Sequence, residues 1–285
     1  MTIPTGPGVA LDDEYPRPAG DDFEMRGLSA LVVSGSRGIG RAIALELARR
    51  GVAVTITARH PESLKEAAES IERETGNPIQ PVVANSRKAD ERQTAVDLVL
   101  KTGRLDLLVY ATGINPARNT PAVDMALDTF QRTFDTNVLG ALGYVQLAWH
   151  AWMKDHGGSV LMLNTVAATS PLRLAAYSAT KAALHRLTED LADQLAPRVR
   201  VNAIAPAFVR TTFMDSVTRL PPETIAASYP LGRIGQPSDI ATAAAFLLSP
   251  LASWITGVTL PVDGGKSVSA VTHDREHPPV DYQVH

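Results

Sequence analysis

The stretch Ser29-Ala-Leu-Val-Val33-Ser34-Gly35-Ser36-Arg37-Gly38-Ile39-Gly40 decides how this chain folds. Its first five residues are a short, largely apolar run bounded by a turn, the mark of a strand buried on both faces. The glycine-rich segment follows, and residues 41–50 then carry apolar side chains at helical spacing until Gly51 ends the pattern. A strand, a glycine-rich turn and a helix in this order aim backbone N–H groups and a positive dipole end at one point. A pyrophosphate can sit there.

The same alternation extends outward from this unit. Strands are expected at residues 52–57, 79–83, 105–110, 159–163, 199–204 and 258–262. Helices are expected between them at 61–75, 90–101, 127–150, 177–195 and 237–249. No composition break divides the series, so the fold class is α/β, one doubly wound parallel sheet with helices on both faces. Ligands are then expected at the carboxyl ends of the strands. Residues 1–26, rich in Pro, Gly and acids, read as a flexible extension or an arm that packs on a neighbouring subunit. Residues 27–265 form the domain, and 266–285 a polar tail.

Composition narrows the function. The chain has 285 residues, a net charge of −3, 45% hydrophobic residues and no cysteine. With no basic cluster a nucleic-acid partner is not expected, and no run reaches membrane-spanning length. Without cysteine there is no disulfide or thiolate chemistry, which fits a cytoplasmic location. No metal site is expected: His150, His156 and His185 lack ligand spacing, and His273, His277 and His285 belong to the tail.

Ala176-Tyr177-Ser178-Ala179-Thr180-Lys181 heads the helix expected at 177–195. Positions i and i+4 share a helix face, so the ammonium can favour the phenolate and lower a phenol pKa that is ordinarily about 10. A phenol tuned in this way can exchange a proton with a substrate oxygen. A tyrosine and a lysine at this spacing are more often a solvated face, so the pair gains meaning from the motifs around it.

Those motifs, in order, are the glycine-rich turn, Asn137 in Thr136-Asn137-Val138-Leu139-Gly140, Tyr177-xxx-Lys181, Arg200-Val-Asn-Ala-Ile-Ala-Pro206, Leu231-Gly-Arg-Ile-Gly-Gln-Pro237 and Val262-Asp-Gly-Gly265. Together they resemble the short-chain dehydrogenase/reductase family, with its single Rossmann-like domain, over residues 27–265. The resemblance implies Tyr177 as general acid or base and Lys181 as the group that lowers its pKa and bonds the nicotinamide ribose. It also implies Asn137 as the holder of a relay water. Gly35, Ser36, Arg37, Gly38, Ile39 and Gly40 would hold the pyrophosphate. Asn85 and Ser86 would meet the adenine, Ala111, Thr112 and Gly113 would back the cofactor, and Pro206, Val209 and Thr211 would clasp the nicotinamide carboxamide.

The second strand ends in Ala58-Arg59, without the carboxylate that binds unphosphorylated ribose hydroxyls. Arg59 and Arg37 suit a 2′-phosphate, so NADP(H) is the expected cofactor. Several positions depart from the family pattern. Val33-Ser34 stands where Thr-Gly is usual, with Gly35 expected to restore the backbone freedom. Tyr110-Ala111-Thr112-Gly113 replaces Asn-Asn-Ala-Gly, and the usual substrate-orienting serine is missing. Motif alignment puts Thr165 in its place; counting back from Tyr177 puts Asn164 there. The pocket is expected to be lined from Asn115 to Thr120, Ser170 to Leu174 and Phe208 to Tyr229. It would include apolar Leu172, Leu174, Phe208, Phe213 and Met214, with Arg118 and Arg173 at its margins. These readings imply an NADP(H)-dependent ketoreductase for a partly apolar small molecule, assembled as a homotetramer or dimer. Apolar outward faces on the 127–150 and 177–195 helices would form the contacts. The competing readings are a lyase, epimerase or cyclase on the same scaffold, and a non-catalytic cofactor-binding protein.

Overall fold

A computed structural model describes residues 25–117, 120–169, 174–218 and 220–269, with only the backbone described at 215–217. The expected N-terminal arm, the pocket residues Arg118, Leu172 and Arg173, and the tail histidines lie outside the described residues. The strands β1 (Ser29–Val33), β2 (Ala53–Ala58), β3 (Ile79–Val83), β4 (Leu107–Tyr110), β5 (Gly158–Leu163), β6 (Val199–Pro206) and β7 (Thr259–Val262) form one sheet. All pairings are parallel, in the order β3-β2-β1-β4-β5-β6-β7. Successive strands step outward from β1 on one side and then, from β4, on the other. Ligands bind at such a reversal.

The helices are α1 (Gly38–Arg49), α2 (Pro61–Thr75), α3 (Ala89–Leu100), α4 (Leu127–Phe134), α5 (Gly140–Ala148), α6 (Ala175–Leu195), α7 (Thr212–Val217), α8 (Pro222–Ala227) and α9 (Pro237–Leu248). Ile43, Leu47, Leu64, Ile71, Ile240 and Leu247 pack α1, α2 and α9 on one face of the sheet. Val96, Val99, Tyr144, Val145, Leu184 and Leu191 pack α3, α5 and α6 on the other. Alternation of side chains along each strand feeds both layers: Val32 joins the first core and Val33 the second.

The single helix expected at 127–150 is instead interrupted by two π-helical segments, Asp135–Leu139 and Trp149–Met153, and runs on to His156. A wide turn leaves the local backbone ladder irregular and often accompanies a functional residue; Asn137 lies in the first. The expected strand at 105–110 begins at Leu107. The apolar outward face is found on the 127–150 segment, where Leu127, Phe130 and Leu139 are exposed, but α6 exposes no large apolar side chain.

The Arg200-Val-Asn motif proves to be a brace. Arg200 donates to the carbonyls of Leu247, Leu248, Ser249 and Ile255, closing the C-terminal end of α9. Asn202 donates to Ile255 O and accepts from Val258 N.

Candidate active site

Strand register places the site. Val33 is level with Thr57 and Tyr110, Tyr110 with Met162, and Leu163 with Ile204. The glycine-rich turn, Arg59, the 111–114 loop, Asn164, Thr165 and the segment after Pro206 therefore share one edge of the sheet.

The glycine-rich turn is built for close approach. A Cβ on Gly40 would collide with the Ser34 carbonyl oxygen and lie 3.3 Å from Ala111 Cβ, and one on Gly38 would lie 3.3 Å from Thr211 Cγ2. The turn thus abuts both the loop after β4 and the segment after β6. Helix α1 has no side-chain cap and no acid in its first turn, so its leading N–H groups face no side-chain acceptor. That arrangement fits a pyrophosphate.

Ser34 corrects one expectation. Gly35 does not supply the unusual backbone; Ser34 itself is left-handed at φ 69°, the one non-glycine with positive φ among the described residues. Gly35 is needed for space, since a Cβ there would meet Ile56 Cγ2 at 2.7 Å. A left-handed conformation costs a side-chain-bearing residue roughly 1–2 kcal/mol, of which glycine's greater unfolded-state entropy cancels part. Ser34→Gly is accordingly expected to stabilise the fold by about 1 kcal/mol. A urea-denaturation midpoint unchanged or lowered in that variant would refute the strain.

Arg37 and Arg59 are both exposed, and the bond from Gly35 N to Thr57 O, at 2.9 Å, brings their two loops to one corner. Neither guanidinium makes an ion pair among the described residues. Asn85 N donates to Glu91 Oε2 and its Oδ1 accepts from Arg87 N. Buried Ser86 lies with its hydroxyl 3.5 Å from that of Thr112. Tyr110, in place of the first family asparagine, is buried and donates to the Thr136 carbonyl in the first π segment.

On the other side of the crevice, Gly113 backs the pair on α6: a Cβ there would lie 3.5 Å from Lys181 Nζ and 4.0 Å from Tyr177 Cε2. Lys181 is 1% exposed and donates to Leu163 O at 2.6 Å. Its Nζ lies 5.8 Å from the centre of the half-buried Tyr177 ring. Burial pushes the Tyr177 phenol up to about 12 and the Lys181 ammonium down to about 7. The expected lowering of the phenol is therefore absent in the chain alone. A lysine stripped of water is only partly charged at neutral pH and has less field to offer its neighbour.

Asn137 is fully buried, and its amide frames one peptide: Oδ1 accepts from Ile114 N and Nδ2 donates to Ile114 O. The second amide hydrogen goes to Thr180 Oγ1 at 2.9 Å. Both side-chain donors are spent, so a water at Asn137 would have to donate to one of its oxygens. Asn137 thus ties the first π segment and, through Thr180, α6 to the 111–114 loop. Thr180 was missed by sequence reasoning; the signal was a polar residue one turn from Tyr177 on the buried side of the helix. Its hydroxyl donates to Tyr177 O.

Thr165 donates to Pro206 O and accepts from Ala167 N, both at 3.3 Å. Asn164, 3% exposed, accepts from Thr165 N through Oδ1, while its Nδ2 has no partner among the described residues. Of the expected pocket residues, Phe213 is 43% exposed with its ring centre 6.4 Å from that of Tyr177. Met214 and Tyr229 instead form a small core with Ile225 and Ile234. Val209 pairs with Gly235, and Thr211 caps α7 by accepting from Met214 N. His185 bonds Thr259 Oγ1 and His156 stacks on Trp152. Among the described residues no group of three or more His, Cys, Asp or Glu could hold a metal ion, and no helix is long and apolar enough to cross a membrane.

The family model described as enoyl-(acyl carrier protein) reductase matches residues 33–267. A tropinone reductase homologue of Arabidopsis thaliana, described as chloroplastic, is 33% identical over 253 residues, covering 87% of this chain and 78% of that protein. The 3-oxoacyl-(acyl-carrier-protein) reductase FabG of Staphylococcus aureus is 35% identical over 240 residues, 83% of this chain and 97% of its own. A short-chain type dehydrogenase/reductase from Mycobacterium ulcerans superposes with a TM-score of 0.80 at 31% identity, covering 86% of this chain and 91% of that one. A 7α-hydroxysteroid dehydrogenase complexed with NADH and 7-oxo glycochenodeoxycholic acid gives 0.81 at 30%, covering 86% and 96%.

Proposed function

The chain belongs to the short-chain dehydrogenase/reductase family of oxidoreductases, and on that premise we propose that it is an NADP(H)-dependent ketoreductase acting on a partly apolar small molecule. The observation that carries the reading is the Tyr177 and Lys181 pair, set against Gly113 at the edge where the glycine-rich turn opens.

The glycine-rich turn and the first turn of α1 would hold the pyrophosphate, with Arg37 and Arg59 on the ribose phosphate. Lys181 would hold the nicotinamide ribose, and the segment from Pro206 to Thr211 the carboxamide. When bound, the cofactor supplies the hydride. Tyr177, held at about 12, keeps its proton at neutral pH and can donate it to a substrate oxygen. Lys181, near 7, can exchange a proton at the same pH and so refill the phenol. Asn137 fixes the loop and helix between which this transfer takes place. The end of β5, Asn164 and Thr165, flanks the substrate oxygen. Phe213 offers an apolar wall beside Tyr177, and two of the similar proteins are named with oxo compounds.

Fluorescence titration with NADPH and NADH tests the cofactor. NADPH is expected to bind at least about tenfold more tightly, the size of one charge-assisted contact, and Arg59→Ala to remove most of that preference. Equal binding would refute the role of the two arginines and leave the oxidoreductase reading standing. We also propose a homotetramer, with exposed Leu127, Phe130 and Leu139 at a contact; light scattering that returned a monomer at micromolar concentration would remove that proposal.

A further inference from the structure

We infer that Thr165 is a positioning residue, a strut from the end of β5 that holds the segment after β6, and that its hydroxyl is not the group that orients a substrate oxygen. The inference rests on the reading above, in which that segment clasps the cofactor.

The geometry is specific. Asn164 continues the sheet ladder, its N–H donating to Ile204 O at 2.7 Å. Thr165 follows in extended backbone, φ −164° and ψ 154°. Its hydroxyl has one hydrogen, and that hydrogen goes to Pro206 O; its lone pair takes Ala167 N. Donation to a substrate oxygen would compete with this 3.3 Å bond to Pro206 O.

Pro206 ends β6 opposite Val262. Beyond it Phe208 O accepts from Gly235 N, and Arg210 N donates to Gly235 O. Thr211 then reaches the glycine-rich turn at Gly38. The segment that Thr165 holds at Pro206 thus leads, five residues on, to Thr211 beside the glycine-rich turn. The choice of threonine over serine fits this use, because β-branching restricts χ1 and keeps the hydroxyl aimed at one acceptor. Serine would turn more freely. The unspent buried donor beside it is the Asn164 amide.

Thr165→Val keeps the shape and deletes the bond; Thr165→Ser keeps the hydroxyl and frees its rotation. The first measurement is hydrogen exchange of the 207–214 segment in protein without cofactor. Thr165→Val is expected to exchange there about fivefold faster, as the loss of one such bond implies. The NADPH dissociation constant should rise by a similar factor while kcat falls by less than about tenfold. Thr165→Ser should fall between the two proteins in exchange and affinity. Unchanged exchange in Thr165→Val overturns the strut. So does a loss of about 100-fold or more in kcat with cofactor affinity intact, the signature of a group acting in the transition state. If the valine variant does not fold, serine decides: kcat held or raised with exchange unaltered overturns the inference, and loosened exchange with weaker NADPH binding supports it. Failure of the wild type to bind either nicotinamide would sink the proposed function instead, and the exchange comparison would still judge the strut.

Discussion

Tyr177→Phe is expected to lower turnover by between about 100-fold and 10,000-fold, the range for loss of a positioned proton donor. Nicotinamide cofactor affinity should change by no more than about threefold, because uniform binding and transition-state binding are separable. The substitution removes one oxygen and leaves the ring beside Phe213 and Lys181. Since burial holds the phenol near 12, the group lost is a neutral O–H rather than a phenolate, and the fold loses no charge. Steady-state kinetics beside a cofactor titration decides the matter. A phenylalanine variant with near-normal turnover would show that the proton comes from elsewhere.

Lys181→Met should abolish turnover and, unusually for an active-site change, make the fold more stable. The ammonium is 1% exposed, makes one hydrogen bond among the described residues, to Leu163 O, and is pushed from 10.5 down to about 7 by desolvation. Its folded pKa lies below the unfolded one, so between pH 7 and 10.5 the unfolded chain binds the extra proton. Stability then rises as pH climbs through that window and is least below pH 7. Methionine fills a similar volume without the desolvation cost. The gain, offset by an unpaired Leu163 carbonyl, should be on the order of 1–3 kcal/mol at pH 7. That corresponds to a melting midpoint raised by roughly 3–10 °C. The rise in stability between pH 7 and 9 should also flatten in the variant. Thermal denaturation of both proteins at the two pH values checks this; a destabilised variant, or an unaltered slope, would mean that Lys181 is held charged at neutral pH.

The two substitutions separate roles that the native pair combines. Tyr177 contributes chemistry at little structural cost. Lys181 is kept against the interest of stability, the trade expected where function needs a charge that folding disfavours.

Much of this protein was decided by sequence alone, where the determining physics is local. The strand, glycine-rich turn and helix, the exact limits of α2 and β3, and the alternation that forces parallel strands follow from periodicity and turn chemistry over a few residues. The Tyr177 and Lys181 pair is legible because a helix brings i and i+4 together wherever it lies. What tertiary structure decided involves distant residues or burial. The left-handed Ser34 sits where Gly40 packs against its carbonyl, and Thr165 is engaged by Pro206, 41 positions away. The paired hydrogen bonds between Asn137 and Ile114 and the closure of α9 by Arg200 are likewise long-range. The reversal of the Tyr177 shift has the same origin: spacing shows that a lysine is near, but desolvation of both groups in the folded chain determines which way each titration moves.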